Sequence, residues 1–394
     1  MTDECAPILN TGLRGVTIAS TKISDVRGKE GKLIYRGYLV KDLAENTCFE
    51  EVIHLLLSER LPGRKELADL KQQLAAERSI PADVIAALRT RPKDALPMDI
   101  MQAGVSMLAH HDPDIRIEES AEATLRMGIR LIAKLPTLLA AWECIRKGKE
   151  PIDPLPDLDH AANFLYMMSG KKPDAELTKF FDTCLVLHAE HSFNASTFAA
   201  REIASTRAHM YAAVAGAVGS LSGALHGGAN TRVMQMLMDI GSPDAIDEYI
   251  KNQLERGALI MGLGHAVYKV DDPRALILAP MAKKMGERAG ESKWYEMSAL
   301  LEKKAKAVFK QRKNMDIFVN VDFYSASLYY SMGIDMDLFT PIFAISRIAG
   351  WVAHVLEEQF AGAAPKATLY RPESKYVGDY CGPEECTLDH IDTR

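Results

Sequence analysis

The spacing of apolar residues changes once along this chain. Up to about residue 40 they fall in two short runs, Gly15-Val16-Thr17-Ile18-Ala19 and Lys32-Leu33-Ile34-Tyr35, parted by a polar turn with Gly28 and Gly31. That pattern predicts a small β element. Beyond it the period is helical. Thr47 with Glu50 makes a capping box for a helix whose inner face is Phe49, Val52, Ile53 and Leu56, and Pro62 marks its stop. Asp174 is placed to cap a second helix with the stripe Leu177, Phe180, Phe181, Cys184, His188 and His191, which turns two histidines inward. Ser242-Pro243 opens another, with Ile246, Tyr249, Ile250 and Leu254 on one side and Gly257 behind it. From 341 to 360 the apolar residues run nearly all round, interrupted by Arg347, His354, Glu357 and Glu358, as in the central helix of a large helical protein. An arginine in such a helix requires an anionic partner. The expected fold is mainly α with a small N-terminal β element. No repeat or Gly/Ser tether is present, so any domain boundary is a close-packed hinge, and the glycine-rich stretch 220–229 is a candidate.

Composition narrows the function. At 394 residues the chain is long enough for two domains, and 47% hydrophobic with 25% charged residues suits a soluble protein with a sizeable core. A net charge of -6 supplies no basic field for nucleic acid or an anionic membrane. The six cysteines are too sparse and irregular for a disulfide framework, which favours a reduced, cytoplasmic setting. The first residues, Met-Thr-Asp-Glu-Cys-Ala-Pro, read as neither a secretory signal nor a transit peptide. No run of about 20 apolar residues for crossing a bilayer is expected.

Three short segments carry candidate chemistry: Leu225-His226-Gly227-Gly228-Ala229-Asn230, Gly262-Leu263-Gly264-His265-Ala266-Val267-Tyr268 and Asn320-Val321-Asp322. One carboxylate and two imidazoles on glycine-relieved backbone form a minimal set for removing a proton from carbon and stabilising the enolate. Taken alone, each histidine is more often a turn or core residue than a catalytic one. Arg274, Arg347 and Arg371 stand in apolar or turn-forming contexts. Buried guanidinium groups without partners are costly, so together they suggest a small polycarboxylate held by bidentate contacts, against the plainer reading of pairing with nearby acids. His188 and His191, three apart, can serve a metal, a substrate or the core; no other histidine or cysteine completes a zinc spacing, so no metal is expected. The run Lys310-Gln311-Arg312-Lys313 can meet a phosphate or simply be solvated, and neither glycine-rich segment fits a nucleotide fingerprint.

From Gly12 to about Gly378 these segments resemble the citrate synthase family. The resemblance rests on Gly12-Leu13-Arg14-Gly15-Val16, Tyr35-Arg36-Gly37, Leu187-His188-Ala189-Glu190-His191 with Asn194-Ala195-Ser196-Thr197-Phe198, the three segments above, Asp272-Pro273-Arg274, Ser346-Arg347 and Arg371-Pro372. It implies an almost wholly helical, two-domain enzyme. Both chain ends, 1–222 and 329–394, would build a large domain, and 223–328 a small domain closing over the substrates. By residue-wise matching, Asp322 would take a methyl proton from the acetyl thioester of coenzyme A and His226 would hydrogen-bond the thioester oxygen. His265 would act as acid on the oxaloacetate ketone. His191, Arg274 and Arg347 would hold oxaloacetate, with Arg371 reaching in from the other subunit of a homodimer. Gly262, Leu263, Gly264 and Lys269 would meet coenzyme A, with Lys310, Arg312 and Lys313 as weaker choices. No cofactor beyond the thioester substrate is implied. The family's acyltransferases open the tricarboxylic acid cycle. Because the shared pattern begins at Gly12, a dimer is favoured over the NADH-inhibited hexameric type.

The nearest rival is a 2-methylcitrate synthase, which uses propionyl-CoA and the same three catalytic positions. One methylene discriminates by only about 1–3 kcal/mol. The motif at His188 leans to the citrate enzymes, whereas Phe193-Asn194-Ala195-Ser196-Thr197-Phe198 and Phe323-Tyr324-Ser325-Ala326 also suit methylcitrate enzymes. From other classes, a non-catalytic acyl-CoA-binding relative and a metal-binding protein using His188 and His191 remain the alternatives.

Overall fold

The computed structural model describes residues 12–13, 15–117, 119–264, 267–376 and 391–393. A three-stranded antiparallel sheet, β1 (Ser24–Arg27), β2 (Lys32–Tyr35) and β3 (Tyr38–Leu39), leads into the helices. These are α1 (Val40–Asn46), α2 (Phe49–Ser58), α3 (Arg64–Ala76), α4 (Ala82–Arg89), α5 (Pro97–Leu108), α6 (Ala121–Arg146), α7 (His160–Ser169) and α8 (Ala175–His188). Then come α9 (Ala195–Ser205), α10 (Met210–Leu221), α11 (Ala229–Ile240), α12 (Ile246–Arg256), α13 (Pro273–Ala289), α14 (Ser292–Lys313), α15 (Val321–Ser331) and α16 (Phe339–Gln359). The mainly α expectation holds. Helices α11 to α15 pack chiefly on one another, and α16 runs through the middle of the rest, against α2, α6, α8, α9 and α10.

Helix α16 has no polar face to offer water: from Phe339 to Val355 every residue is buried. It is the one described helix long and apolar enough to cross a membrane, and it is covered by protein along its length. It crosses α6 closely, where a Cβ on Gly128 would stand 2.3 Å from Val352 Cγ1. Only glycine permits that approach, and each large side chain it helps bury contributes roughly 1.5–3 kcal/mol.

Several elements sit away from their predicted places, for local reasons. Residues 15–19 form no strand; Val16 and Ile18 are exposed, and Val16 N–H turns back to the Leu13 carbonyl. The partner of Lys32–Tyr35 is Ser24–Arg27, with Ser24 opposite Tyr35 and Arg27 opposite Lys32. Strand propensity is realised only where a neighbour completes the ladder. The capping box of α2 lies one residue later than expected, Cys48 N–H donating to Glu51 Oε2 at 2.8 Å. Thr47 and Glu50 are engaged elsewhere: the Thr47 hydroxyl bonds the Leu43 carbonyl at 2.6 Å, and Glu50 Oε1 accepts from His160 N–H at 2.8 Å. Asp174 caps α8 as predicted, accepting from Glu176 and Leu177 N–H. That helix ends at His188, so His191 lies in the following loop rather than on the stripe. Tyr35 Oη donates at this exit, where the Glu190 carbonyl is 2.9 Å away. Pro243 begins a 3-10 turn and α12 proper starts at Ile246, closing at Gly257 with φ 63° as the sequence indicated.

Candidate active site

The turn 222–228, the loop 190–194 and the first turns of α13 and α15 converge on α16 around a cavity of about 570 Å³. His191, His226, Arg274, Asp322 and Arg347 all line it, with Leu221, Val267, Val321 and Phe343 as apolar wall. A cavity of similar size, 560 Å³, has as ionisable lining only Glu119, Arg207 and His209, and its Glu119 and Arg207 are paired. It holds no comparable convergence.

Asp322 is the second residue of α15. The Asn320 side chain caps the helix, its Oδ1 accepting from Asp322 N–H at 3.0 Å. The same asparagine ties the helix to the segment before His265: Asn320 N–H meets the Gly262 carbonyl at 2.9 Å and its Nδ2 the Gly264 carbonyl at 3.2 Å. Gly264 N–H donates to the Phe318 carbonyl at 2.7 Å, and Leu263 bridges Val319. Gly262 has φ +78°, and a Cβ there would meet Phe323 at 2.6 Å, so this seam requires glycine. His265 and Ala266 lie outside the described residues. The Asp322 carboxyl reaches the cavity yet is enclosed by protein. Burial pushes its pKa up to about 6, Asp272 adds to the rise, and Arg274, Arg347 and Arg232 oppose it. Burial outweighs the favourable end of the helix dipole.

The proton on His226 can be placed. Ser196 is in the first turn of α9, where its backbone N–H has no helical partner, and it donates to His226 Nε2 at 3.1 Å. The Ser196 hydroxyl, 2.9 Å from Nε2, donates instead to Asn194 Oδ1 at 2.8 Å and accepts from Trp351 Nε1 at 3.2 Å. Nε2 is therefore an acceptor, and the neutral ring carries its hydrogen on Nδ1. Burial, then the positive charge of Arg347, lowers the His226 pKa to about 4. The ring is a neutral donor throughout the physiological range.

The two cavity arginines differ. Arg274 is paired with Asp272 through Nε at 3.0 Å and Nη2 at 2.7 Å, which leaves Nη1 without a bond among the described residues. Arg347 donates Nε–H to the His188 carbonyl at 2.7 Å and lies over the Phe343 ring at 4.5 Å, with no carboxylate within 4 Å among the described residues. Burial draws its pKa down to about 10 against the pull of Glu190. A buried guanidinium with open fork nitrogens is a place for a ligand carboxylate. His191 stands edge-on to Tyr268, with ring centroids 5.7 Å apart. His188 is fully buried against Phe343, and its Nδ1 bonds the Cys184 carbonyl at 2.8 Å, which is a structural role.

Other expected residues lie apart. Arg371 is exposed and outside the cavity of its own chain. Lys269 is exposed, its backbone N–H held by the Gly28 carbonyl at 2.9 Å. Lys310 pairs with Asp316 at 3.0 Å, and Arg312 and Lys313 end α14 in solvent. Sequence reasoning gave no role to Ser196, Trp351 or Asp272. Asn194 followed by Thr197 signals a helix cap, which would have located Ser196 in a first turn; nothing in the sequence marks Trp351 as its second partner.

Residues 12–373 match the family described as citrate synthase, C-terminal domain. A citrate synthase of Haloferax volcanii is 43% identical over 94% of this chain and 96% of its own length. A 2-methylcitrate synthase of Shewanella oneidensis is 40% identical over 95% and 96%, respectively. Among solved structures, citrate synthase from Pyrobaculum aerophilum superposes with a TM-score of 0.88 at 36% identity, covering 97% of this chain and 95% of that one. The ternary complex of the Thermoplasma acidophilum citrate synthase with carboxymethyl coenzyme A and oxaloacetate gives 0.89 at 28% identity, covering 98% and 100%. With the match spanning nearly the whole sequence and the fold, this chain belongs to the citrate synthase family.

Proposed function

We propose that this protein condenses acetyl-CoA with oxaloacetate and water to give citrate and coenzyme A. The observation that carries the reading is the tautomer of His226, whose Nδ1–H has no acceptor among the described residues, in a cavity that also holds a half-buried carboxylate of raised pKa. A thioester methyl is a weak carbon acid. Asp322 at about 6 is a stronger base than an ordinary aspartate by a margin of about 2–3 kcal/mol, yet it is mostly ionised at neutral pH. It takes the methyl proton while His226 donates to the thioester oxygen, so charge leaving the carboxylate is met where it arrives. Arg347 and the open Nη1 of Arg274, with His191, hold the oxaloacetate carboxylates. His265 protonates the ketone oxygen as the carbon–carbon bond forms, and the citryl thioester is then hydrolysed. No protein step requires a metal.

Segment 223–328, whose helices pack mainly on one another, acts as the domain that closes, with 1–222 and 329–394 as the other. The backbone at Gly262, Leu263 and Gly264, with Lys269, meets coenzyme A. The protein works as a cytoplasmic homodimer, and the exposure of Arg371 outside its own cavity suits its donation to the neighbouring subunit.

Release of coenzyme A thiol from acetyl-CoA and from propionyl-CoA, with and without oxaloacetate, tests the assignment. Oxaloacetate-dependent release favouring acetyl-CoA is expected. A propionyl preference moves it to 2-methylcitrate synthesis, the reading in keeping with the 40% identity to the Shewanella oneidensis enzyme of that name. Release from neither overturns both.

A further inference from the structure

Helix α16 carries more on its site-facing side than Arg347. At helical spacing after it come Gly350, Trp351, His354, Glu357 and Glu358, all buried. Gly350 lets the carboxyl of Glu190 lie against the helix, since a Cβ would stand 2.2 Å from Glu190 Oε2. Glu190 is fully buried; its Oε1 accepts from Ser24 Oγ at 2.8 Å, and its Oε2 has no hydrogen-bond partner among the described residues. Arg201 Nη1 donates to His354 Nδ1 at 2.9 Å, so His354 carries its proton on Nε2 and donates to Glu190 Oε1 at 3.0 Å. Arg201 also pairs with Glu357 at 2.7 Å and Glu358 at 2.6 Å. Glu358 accepts from the Tyr370 hydroxyl at 2.7 Å. Tyr370 is further seated on α9, its N–H donating to Ser205 Oγ at 3.2 Å and its ring beside Phe198 at 6.0 Å.

An unbroken run of bonds therefore leads from the C-terminal segment to the loop that holds His191. It touches the cavity at two points. Phe193, part of the cavity wall, packs its ring against both His354 at 5.5 Å and Arg201 at 4.5 Å. Glu190 supplies negative charge behind Arg347, which has no ion pair of its own among the described residues. Burying five ionisable groups away from the reacting atoms is expensive, and apolar residues of similar volume would hold a fold at least as well. What an apolar cluster lacks is a fixed register between partners.

We propose that Tyr370, Glu358, Arg201, His354 and Glu190 are positioning residues: seating of the C-terminal segment at Tyr370 sets the 190–193 loop and thereby the anion site at Arg347. The proposal rests on reading that cavity as the oxaloacetate site. Tyr370 precedes Arg371, the residue assigned to the neighbouring subunit, so the same relay joins a protomer's own site to the segment serving the other.

The test is Tyr370→Phe, which removes one hydroxyl at the half-buried end of the relay, and His354→Gln, which keeps one donor and one acceptor, each alone and the two combined. Amide hydrogen exchange is followed at Ser192, Ser196 and Thr197, alongside steady-state kinetics. Tyr370→Phe is expected to speed exchange at these amides about tenfold while leaving α3 and α4 unchanged, and to raise the oxaloacetate KM about fivefold with kcat within about twofold. In the double variant the two KM effects should not multiply. Unchanged exchange at the three amides overturns the relay. So does exchange rising evenly across the helices with kcat falling alongside KM, or KM effects that multiply. If the unaltered protein releases no coenzyme A thiol, the catalytic reading fails, and the exchange pattern alone still decides the relay.

Discussion

Replacing Arg347 with methionine separates what this residue does for the fold from what it does for a ligand. The substitution removes one bond to the His188 carbonyl and a cation–π contact with Phe343. Together these amount to roughly 2–4 kcal/mol of lost interaction. It also removes the cost of keeping a guanidinium 1% exposed with no carboxylate within 4 Å among the described residues, a penalty of several kcal/mol visible in a pKa drawn down to about 10. Methionine is similar in length and adapts to the apolar surroundings of α16. The two terms oppose each other, so the net change in unfolding free energy should be within about 2 kcal/mol. Binding has no such offset. Two charge-assisted bonds to a carboxylate in a desolvated cavity are worth roughly 3–5 kcal/mol, or 10²–10⁴ in KM for oxaloacetate. The assay is thermal unfolding with and without oxaloacetate, together with kinetics. The unaltered protein should gain stability with ligand by mass action, and Arg347→Met should melt near the unliganded protein and show no gain. A variant that loses more than about 4 kcal/mol of stability, or that keeps its oxaloacetate KM within about threefold, refutes the reasoning.

Other substitutions probe the remaining parts. Asp322→Asn should lower kcat by about 10³ or more while leaving oxaloacetate binding within a few-fold, and near-normal turnover would remove Asp322 as the base. The same variant tests linkage. The Asp322 carboxyl titrates near 3.8 when unfolded and near 6 when folded, so the stability it adds is complete below about pH 3.8 and is lost as pH rises through 6. Asp322→Asn should therefore be more stable than the unaltered protein at pH 7.5, by up to about 3 kcal/mol, and not at pH 4, as read by chemical denaturation at both pH values. For activity, kcat/KM for acetyl-CoA should fall tenfold per pH unit below about 6 as Asp322 is protonated, with His226 neutral until about 4; a limb centred below 5 would contradict the raised pKa. Gly350→Ala drives a Cβ to 2.2 Å from Glu190 Oε2 and 2.5 Å from the Ala189 carbonyl, and should destabilise the fold by about 2 kcal/mol or more; full stability in urea unfolding would show that the crossing relaxes.

Where apolar spacing and caps are clear, helices were legible in the sequence, because both are local properties. The stripe after Asp174, the all-round apolar run that became α16, and Gly257 closing α12 were readable from neighbours within a few residues. The same locality explains the errors. Val16 and Ile18 have strand character, but only the tertiary structure supplies a partner to Lys32–Tyr35, and it supplies Ser24–Arg27. Thr47 and Glu50 fit a capping box, but the fold gives Glu50 to His160, 110 residues away. At the site, His226, Asp322 and Arg347 were identifiable as unusual residues in unusual contexts. That they share one cavity was decided by α15 and α16 packing beside the 222–228 turn. Tertiary structure alone settled which nitrogen of His226 bears the proton, because the backbone N–H of Ser196 comes from 30 residues earlier in the chain. It also distinguished two arginines that look alike in sequence: Arg274 finds Asp272 two residues away, whereas Arg347 finds no carboxylate within 4 Å among the described residues. Burial and partner choice depend on distances in space between residues far apart in sequence, and these set pKa, tautomer and charge balance in the cavity.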